Sequence, residues 1–161
     1  MTLKDFQLHY NNHFVAMEYY WLILNRTFLV LITNEYLIGV QANGLVSIET
    51  AHDPLLNIMT GSLAVKGDLN NPHSYIKSKY LGKIENEDLT GSGFLLKNKN
   101  NFRISRKEIK RVEYDSSKKW GMAYYPHDGK VYVETYDDKK REFIILGNQS
   151  GSHIASIIER R

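Results

Sequence analysis

The residues best suited to chemistry are cations, and they are concentrated between positions 97 and 119. This stretch holds nine Lys or Arg against three acids, a local balance of +6, whereas the whole chain carries +3. Such a concentration can attract an anionic membrane surface, a nucleic acid or an acidic protein segment. The competing interpretation, which we favour, is that these cations solvate two strands and the turn between them. The candidate anion-binding patch comprises Arg103, Arg106, Lys107, Lys110, Arg111, Lys118 and Lys119.

Recognition of a nucleic acid would require aromatic side chains on which bases can stack beside these cations. At strand spacing about half of the nearby aromatics should face a core, and no RNA-binding signature accompanies them. Nucleic acid is therefore not favoured as a partner. The aromatics concerned are Tyr114, Trp120, Tyr124, Tyr125, Tyr132 and Tyr136.

The residue spacings that common enzymes need are incomplete. His9 and His13 are four apart, which would suit zinc on a helix face, but no glutamate stands at position 10. Gly91-Ser92-Gly93 lacks the third glycine of a dinucleotide-binding loop and is expected to be a linker. Ser150 lies three residues after Gly147, one residue too far for the G-x-S-x-G elbow of a hydrolase. The absence of cysteine excludes a thiol nucleophile and a thiolate metal site. We therefore expect no catalytic, cofactor-binding or metal-binding residue, and an enzyme whose residues converge only in three dimensions is the least favoured reading.

Alternation of apolar and polar residues with a period of two predicts the strands around the basic stretch. Phe102 to Ser105 shows this alternation, and Pro126 to Gly129 and Asp137 to Lys140 have the residues that turns need. The pattern predicts a meander with strands at about 118–125, 130–136 and 141–146.

The apolar run 14–32 is long enough to raise the question of a membrane span. Glu18 and Arg26 argue against a span, because charges near the centre of a bilayer are costly. Residues 14–24 fit either a first strand or a leading helix. Farther along, a second meander is predicted, with strands at Thr27 to Thr33, Tyr36 to Gln41 and Leu45 to Thr50 and with turns at Asn34-Glu35 and Asn43-Gly44.

Between the two meanders, residues 52–93 predict a connecting insertion of loops and one or two short helices. Asp53-Pro54 favours a helix over Leu55 to Thr60, because proline suits the first helical position. Gly82 is expected to end a second helix over Tyr75 to Leu81.

A terminal helix is predicted after the last strand. Ser150 or Ser152 can cap it, and Ile154, Ile157 and Ile158 would form its apolar stripe. Such a helix could lie over the open end of a small barrel and bury exposed edges.

These elements indicate one mainly β domain over residues 1–161, an antiparallel barrel or roll with a C-terminal capping helix. Its parts are expected at about 18–50 for the front strands, 52–93 for the insertion, 100–146 for the back strands and 152–160 for the helix. The first residues lack the basic lead of a signal peptide, so a cytoplasmic location is expected.

Several segments resemble the pleckstrin-homology-like (PH-like) barrels of many small bacterial proteins. They are FRISRKEIKRVEY, a strand with Trp120, the hairpin YYPHDGKVYVETYDDKKREFIIL and the closing SHIASIIE, and FLVLITNEYLIGVQANGLV resembles the opening strands. The resemblance covers about 27–160, interrupted by 52–93. In those barrels an F-x-I-x-x-x-x-I-x-x-V pattern marks a middle strand, and here it is matched by Phe102, Ile104, Ile109 and Val112.

The resemblance implies a non-enzymatic binding or scaffold module that acts through a sheet edge or a groove. Relatives that bind phosphoinositides use a basic loop of the form K-x-x-x-x-K-x-R between their first two strands. The turns Asn25-Arg26, Asn34-Glu35 and Asn43-Gly44 contain one arginine and no lysine, so no phosphoinositide-binding residue is carried over. Protein segments or anionic surfaces are the expected partners. Peripheral attachment to an anionic membrane or a nucleic acid through residues 97–119 is the alternative.

Overall fold

A computed structural model of the chain describes residues 1–21, 24–42, 45–48, 64–117 and 126–160. Within these residues, seven strands form one antiparallel sheet in the order β6-β3-β2-β1-β9-β8-β7, and β4 and β5 pair in parallel as a separate small sheet. The strands are β1 (His13–Trp21), β2 (Leu24–Ile32), β3 (Tyr36–Gln41), β4 (Leu45–Ile48), β5 (Ala64–Gly67), β6 (Phe102–Ser105), β7 (Ile109–Asp115), β8 (His127–Thr135) and β9 (Lys140–Leu146). The helices are α1 (Ser78–Ile84), α2 (Ser92–Lys97) and α3 (Gly151–Glu159), with short 3₁₀ helices at Pro72–Tyr75 and Arg106–Glu108.

The large sheet is a curled half-barrel, and its concave face encloses one of two cores. Phe102 of β6 packs against Phe143 of β9, with ring centroids 5.8 Å apart, although three strands separate β6 from β9 in the sheet. Only a strongly curled sheet brings such distant strands into contact. Phe14, Phe28 and Val131 fill the same core.

The described residues of the apolar run 14–32 form two neighbouring strands, with side chains buried on both faces at 14–17 and 27–32. In β1, Phe14 and Ala16 face the concave core, whereas Val15 and Met17 face the opposite core. A strand that is covered on both sides needs apolar residues at successive positions, which explains why the run is continuous. Residues 14–24 were left open between strand and helix, and the part from 14 to 21 is a strand, β1, which pairs antiparallel with β2.

The convex face is covered by the amino-terminal residues and by the insertion. Four of their side chains are completely or almost completely buried against β1, β2, β3 and β9, namely those of Leu3, Tyr75, Ile84 and Phe94. The described part of the predicted insertion therefore forms a layer of the structure, because it supplies the apolar cover that the outer face of the sheet requires.

The C-terminal helix is confirmed, and it closes the concave face. Ser150 is the N-cap, and its side chain accepts a hydrogen bond from the backbone N–H of His153 at 3.3 Å. Ile154 and Ile158 are buried in the concave core, and Ile157 packs partly against it. The mainly β architecture with a closing helix agrees with the fold class expected from the sequence.

Three local predictions were wrong. Leu45 to Thr50 was expected to continue the front meander, but β4 instead pairs in parallel with β5. Gly82 lies inside α1 instead of ending a helix, and Ser92 begins α2 where a linker was expected. The predicted helix at Leu55 to Thr60, the strand at 118–125 and the turn at Asn43-Gly44 lie outside the described residues.

The expected turn at Pro126 to Gly129 is largely absorbed into β8, which begins at His127. Gly129 has φ of +64°, and the pairing of β8 with β9 shifts register between His127 and Lys130. A left-handed residue at a register shift is typical of a bulge, and glycine accommodates it without strain.

The basic stretch contributes to two strands with a short turn between them, as the interpretation favoured for its cations expected. The resemblance implied a single middle strand from Phe102 to Val112, but the 3₁₀ helix at Arg106–Glu108 interrupts it. A reciprocal capping box between Ser105 and Glu108 favours this break. As a result β6 and β7, although adjacent in sequence, form the two opposite edges of the sheet.

Candidate functional site: a charged cleft on the concave face

Arg106 anchors the terminal helix. Its Nη2 donates hydrogen bonds to the carbonyl oxygens of Ile157 at 2.9 Å and Ile158 at 3.1 Å, and also to that of Arg160. Its Nη1 donates to the carbonyl of Thr33 at 3.1 Å. The last carbonyls of a helix have no partners within the helix, so this arginine satisfies them from outside. Partial burial lowers the pKa of the guanidinium.

Three further residues of the predicted patch also have partners. Arg103 donates to the backbone carbonyls of Thr90 and Gly91. Lys110 pairs with Glu134 at 3.0 Å and Asp138 at 3.3 Å, and Arg111 pairs with Glu113. Lys107 is exposed and forms no ion pair with a described residue. Lys118 and Lys119 lie outside the described residues.

This arrangement does not bring the described residues of the predicted patch together as free cations. Arg103 lies on one edge strand, β6, whereas Lys110 and Arg111 lie on the other, β7. An anion approaching β7 would compete with carboxylates that already hold these two side chains.

A cleft of about 200 Å³ lies on the concave face, where β6 faces β8 and β9. Its apolar wall is formed by Phe102, Ile104 and Val133. Among the described residues of the predicted patch, only Arg103 lines the cleft, and the curled sheet places Arg103 beside Lys139 and Arg141, which are distant in sequence. The polar residues of the rim are Arg103, Glu108, Thr135, Asp137, Lys139 and Arg141.

Arg141 is held in this cleft by an ion pair and by a ring contact. Its Nη1 donates to both carboxylate oxygens of Glu18, at 2.8 and 2.9 Å, and its guanidinium carbon lies 3.7 Å from the ring centroid of Phe102. The side chains of Glu18 and Arg141 are 16% and 30% exposed. Burial raises the pKa of Glu18, and the neighbouring Arg141 and Arg26 act in the opposite direction.

These contacts use only some of the hydrogen-bond donors of the Arg141 guanidinium. Its Nε and Nη2 form no hydrogen bond with any described residue, whereas Nη1 is held by Glu18. The guanidinium plane is thus held from two sides and keeps donors that match a carboxylate or phosphate group.

Two charged residues in the sequence indicate this site, although neither belongs to a linear motif. Glu18 interrupts an apolar run, and Arg141 stands two residues before Phe143 on the inward phase of β9. Charges at inward-facing strand positions rarely remain without a partner. Pairing the two from sequence alone would have required the order of the strands.

Among the described residues, no group of three or more His, Asp or Glu is arranged to hold a metal ion. His13 lies in β1 and its Nδ1 is 2.8 Å from the carbonyl oxygen of His9, so the two do not share a helix face. Ser150 caps α3, as expected. No described helix is long and apolar enough to cross a bilayer.

Comparison of the chain with protein-family models, with curated proteins and with solved structures found no significant match. The class of protein is therefore defined by its architecture, a curled β half-barrel that a C-terminal helix closes.

Two histidines predict a pH dependence of stability. Burial lowers the pKa of His13 and His73 in the folded chain. In the unfolded chain the pKa of histidine is about 6.5, so the unfolded chain binds more protons than the folded chain as the pH falls. The free energy of unfolding should be highest above that pH and should fall between about pH 7 and pH 5.5. Urea denaturation across this range measures the slope. The double substitution His13→Asn and His73→Asn should flatten it, and an unchanged slope would contradict the assignment.

Proposed function

We propose that the chain is a non-enzymatic binding module of PH-like type, and that it recognises an anionic group in the concave-face cleft at Arg141. The observation that carries this proposal is the guanidinium of Arg141. Glu18 and the ring of Phe102 hold it in place, while its Nε and Nη2 have no hydrogen-bond partner among the described residues. A preorganised donor fork lowers the entropy lost when a ligand binds.

The PH-like assignment is supported by the arrangement of elements. Seven antiparallel strands in a curled sheet, followed by a helix that closes the concave face, agree with the architecture that the sequence resemblance implies. The fold alone indicates no ligand, so the functional part of the proposal depends on the cleft.

The acidic residues of the cleft already have partners. Asp137 pairs with Lys139 at 2.6 Å, and Glu108 accepts a hydrogen bond from the backbone N–H of Ser105 at 3.3 Å. Glu18 offsets the positive charge of Arg141. We therefore expect selectivity to come from the geometry of the guanidinium N–H donors more than from net charge.

Replacement of Arg141 tests this function. We expect the dissociation constant for a small carboxylate or for inorganic phosphate to rise at least about tenfold in Arg141→Met, since a hydrogen bond to a charged group contributes roughly 1.5–3 kcal/mol. Arg141→Lys retains a charge that can pair with Glu18 but removes the planar fork, so it should also weaken binding. Chemical-shift titration monitored at β9 and β6 provides the measurement.

Lys140→Met is the matched control, because it removes one positive charge from the adjacent residue on the opposite face of the same strand. Lys140 lies over the ring of Tyr132 at 4.0 Å and does not line the cleft. Equal losses in Lys140→Met and Arg141→Met would indicate non-specific attraction. Absence of saturable binding by the unaltered protein would also overturn the proposal.

Peripheral attachment through residues 97–119 remains the second candidate, supported by the exposed Lys107. Its test is a salt titration of binding to liposomes with anionic and with zwitterionic headgroups, and to a nucleic acid. Attachment through this stretch predicts binding that weakens steeply as salt rises and that survives Arg141→Met.

A further inference from the structure

A second cleft, of about 350 Å³, lies at the other end of β1 and β9 from Arg141. Three parts of the chain form it, namely the residues leading into β1, the insertion at Leu69 and Asn70, and the segment from Asn148 into α3. His13, which lines this cleft, and Glu18, which holds Arg141, are five residues apart on β1, a spacing of about 16 Å along the strand at about 3.3 Å per residue. The second cleft is therefore a separate site.

The walls of this cleft are held in place by hydrogen bonds and ring contacts. The Gln149 side chain accepts a bond from the Val15 N–H at 2.9 Å and donates to the carbonyls of Val15 at 2.8 Å and Leu146 at 2.6 Å. His153 stacks on Tyr10 with ring centroids 5.1 Å apart, and its Nε2 lies 2.8 Å from Asn11 Oδ1. A site that is already ordered loses little entropy when it binds a ligand.

Several polar groups of the cleft remain unused. The side-chain amides of Asn70 and Asn148 form no hydrogen bond with any described residue. His13 directs Nδ1 to the carbonyl of His9, which leaves its Nε2 as an acceptor when the ring is neutral. Burial lowers the pKa of His13 and so favours that neutral form.

The chemistry of the lining indicates the class of ligand. The described residues that line the cleft include no Asp, Glu, Lys or Arg, so nothing in the lining compensates a charged ligand. Leu69 and Ile154 supply apolar surface, and Tyr10 is 74% exposed, so the face of its ring that does not stack on His153 is accessible to a ligand. Asn amides can form paired hydrogen bonds with the edge of a base, and bases stack on Tyr and His rings.

We propose that this cleft binds an uncharged nucleobase, which stacks at Tyr10 and is hydrogen-bonded by Asn70 and Asn148. The volume lies near the lower end of the range for small-molecule sites and suits a single base with its sugar. The base could belong to a free nucleoside or to a single-stranded oligonucleotide, and the experiment includes both sources.

Calorimetric titration with adenosine, guanosine, cytidine and uridine, with a short single-stranded RNA and with glucose tests this proposal. We expect saturable binding of at least one nucleoside, free or within the RNA, and weaker or absent binding of glucose. Tyr10→Ala and Asn148→Ala should each weaken binding at least about tenfold, because loss of base stacking or of a paired hydrogen bond is of that size.

Matched controls are available at exposed positions away from the cleft. Tyr136→Ala removes another exposed tyrosine, and Asn34→Ala removes an asparagine from the turn between β2 and β3. Both should bind as the unaltered protein does, as should Arg141→Met, which separates this result from the test of the first cleft. Thermal unfolding of each variant verifies folding. The proposal fails if no nucleoside or RNA binds, if glucose binds equally well, or if the cleft variants match the controls.

Discussion

Replacement of Arg106 by methionine should lower the free energy of unfolding by about 3 kcal/mol. The guanidinium donates to four backbone carbonyls, those of Thr33, Ile157, Ile158 and Arg160, and charge-assisted hydrogen bonds contribute more than neutral ones. Its loss would leave the last carbonyls of α3 without these partners and weaken the contact between the helix and the half-barrel. Denaturant unfolding followed by circular dichroism measures the change.

Lys107→Met is the matched control, because Lys107 is the next residue, is exposed and forms no ion pair with a described residue. Its unfolding free energy should stay within about 0.5 kcal/mol of the original value, as is usual for surface substitutions. Hydrogen exchange adds a second readout, since Arg106→Met should increase exchange first in α3. Equal stability of the two variants would show that Arg106 does not anchor the helix.

Replacement of Gly39 by alanine should destabilise the protein by about 2 kcal/mol or more and should also damage the charged cleft. Gly39 pairs with Phe102 across β3 and β6, and an added Cβ would overlap the Phe102 ring. The core cannot accept this volume without displacing the ring, and overpacking of this kind costs about 1–3 kcal/mol. Phe102 also supports the guanidinium of Arg141, so anion binding should weaken together with stability.

Gly82→Ala is the control for this substitution. Gly82 is exposed within α1, and an added Cβ there meets nothing within 4 Å. Alanine at that position should stabilise the helix by about 0.5–1 kcal/mol. Combining Gly39→Ala with Phe102→Leu should recover part of the loss if the collision with the ring is its cause, whereas additive losses in the double variant would contradict this explanation.

Features that depend on residues close in sequence were predicted well. The alternation at 130–136 and 141–146 predicted β8 and β9, and of the two serines named as possible helix caps, Ser150 and Ser152, the first is the cap. Strand alternation and helix capping depend on contacts within a few residues, so a linear pattern contains the information they need.

Features that depend on distant contacts were not predicted. Arg106 was assigned to a surface patch because its neighbours are basic, yet its partners lie 51 and more residues away. Likewise, the alternation of Phe102 to Val112 could not reveal that β6 and β7 lie at opposite edges of the sheet. Hydrophobic periodicity reports which face a residue occupies and contains no information about which strand lies beside it.

The sequence by itself therefore determined a mainly β chain with a terminal helix, because alternation and caps are properties of short segments. The tertiary structure alone decided which charges meet, as for Glu18 and Arg141, which are 123 residues apart and are brought together because β1 and β9 are neighbours in the sheet. The strength of an ion pair depends on distance and burial in space. The partners of the basic residues thus followed from the order of the strands and not from the density of these residues along the chain.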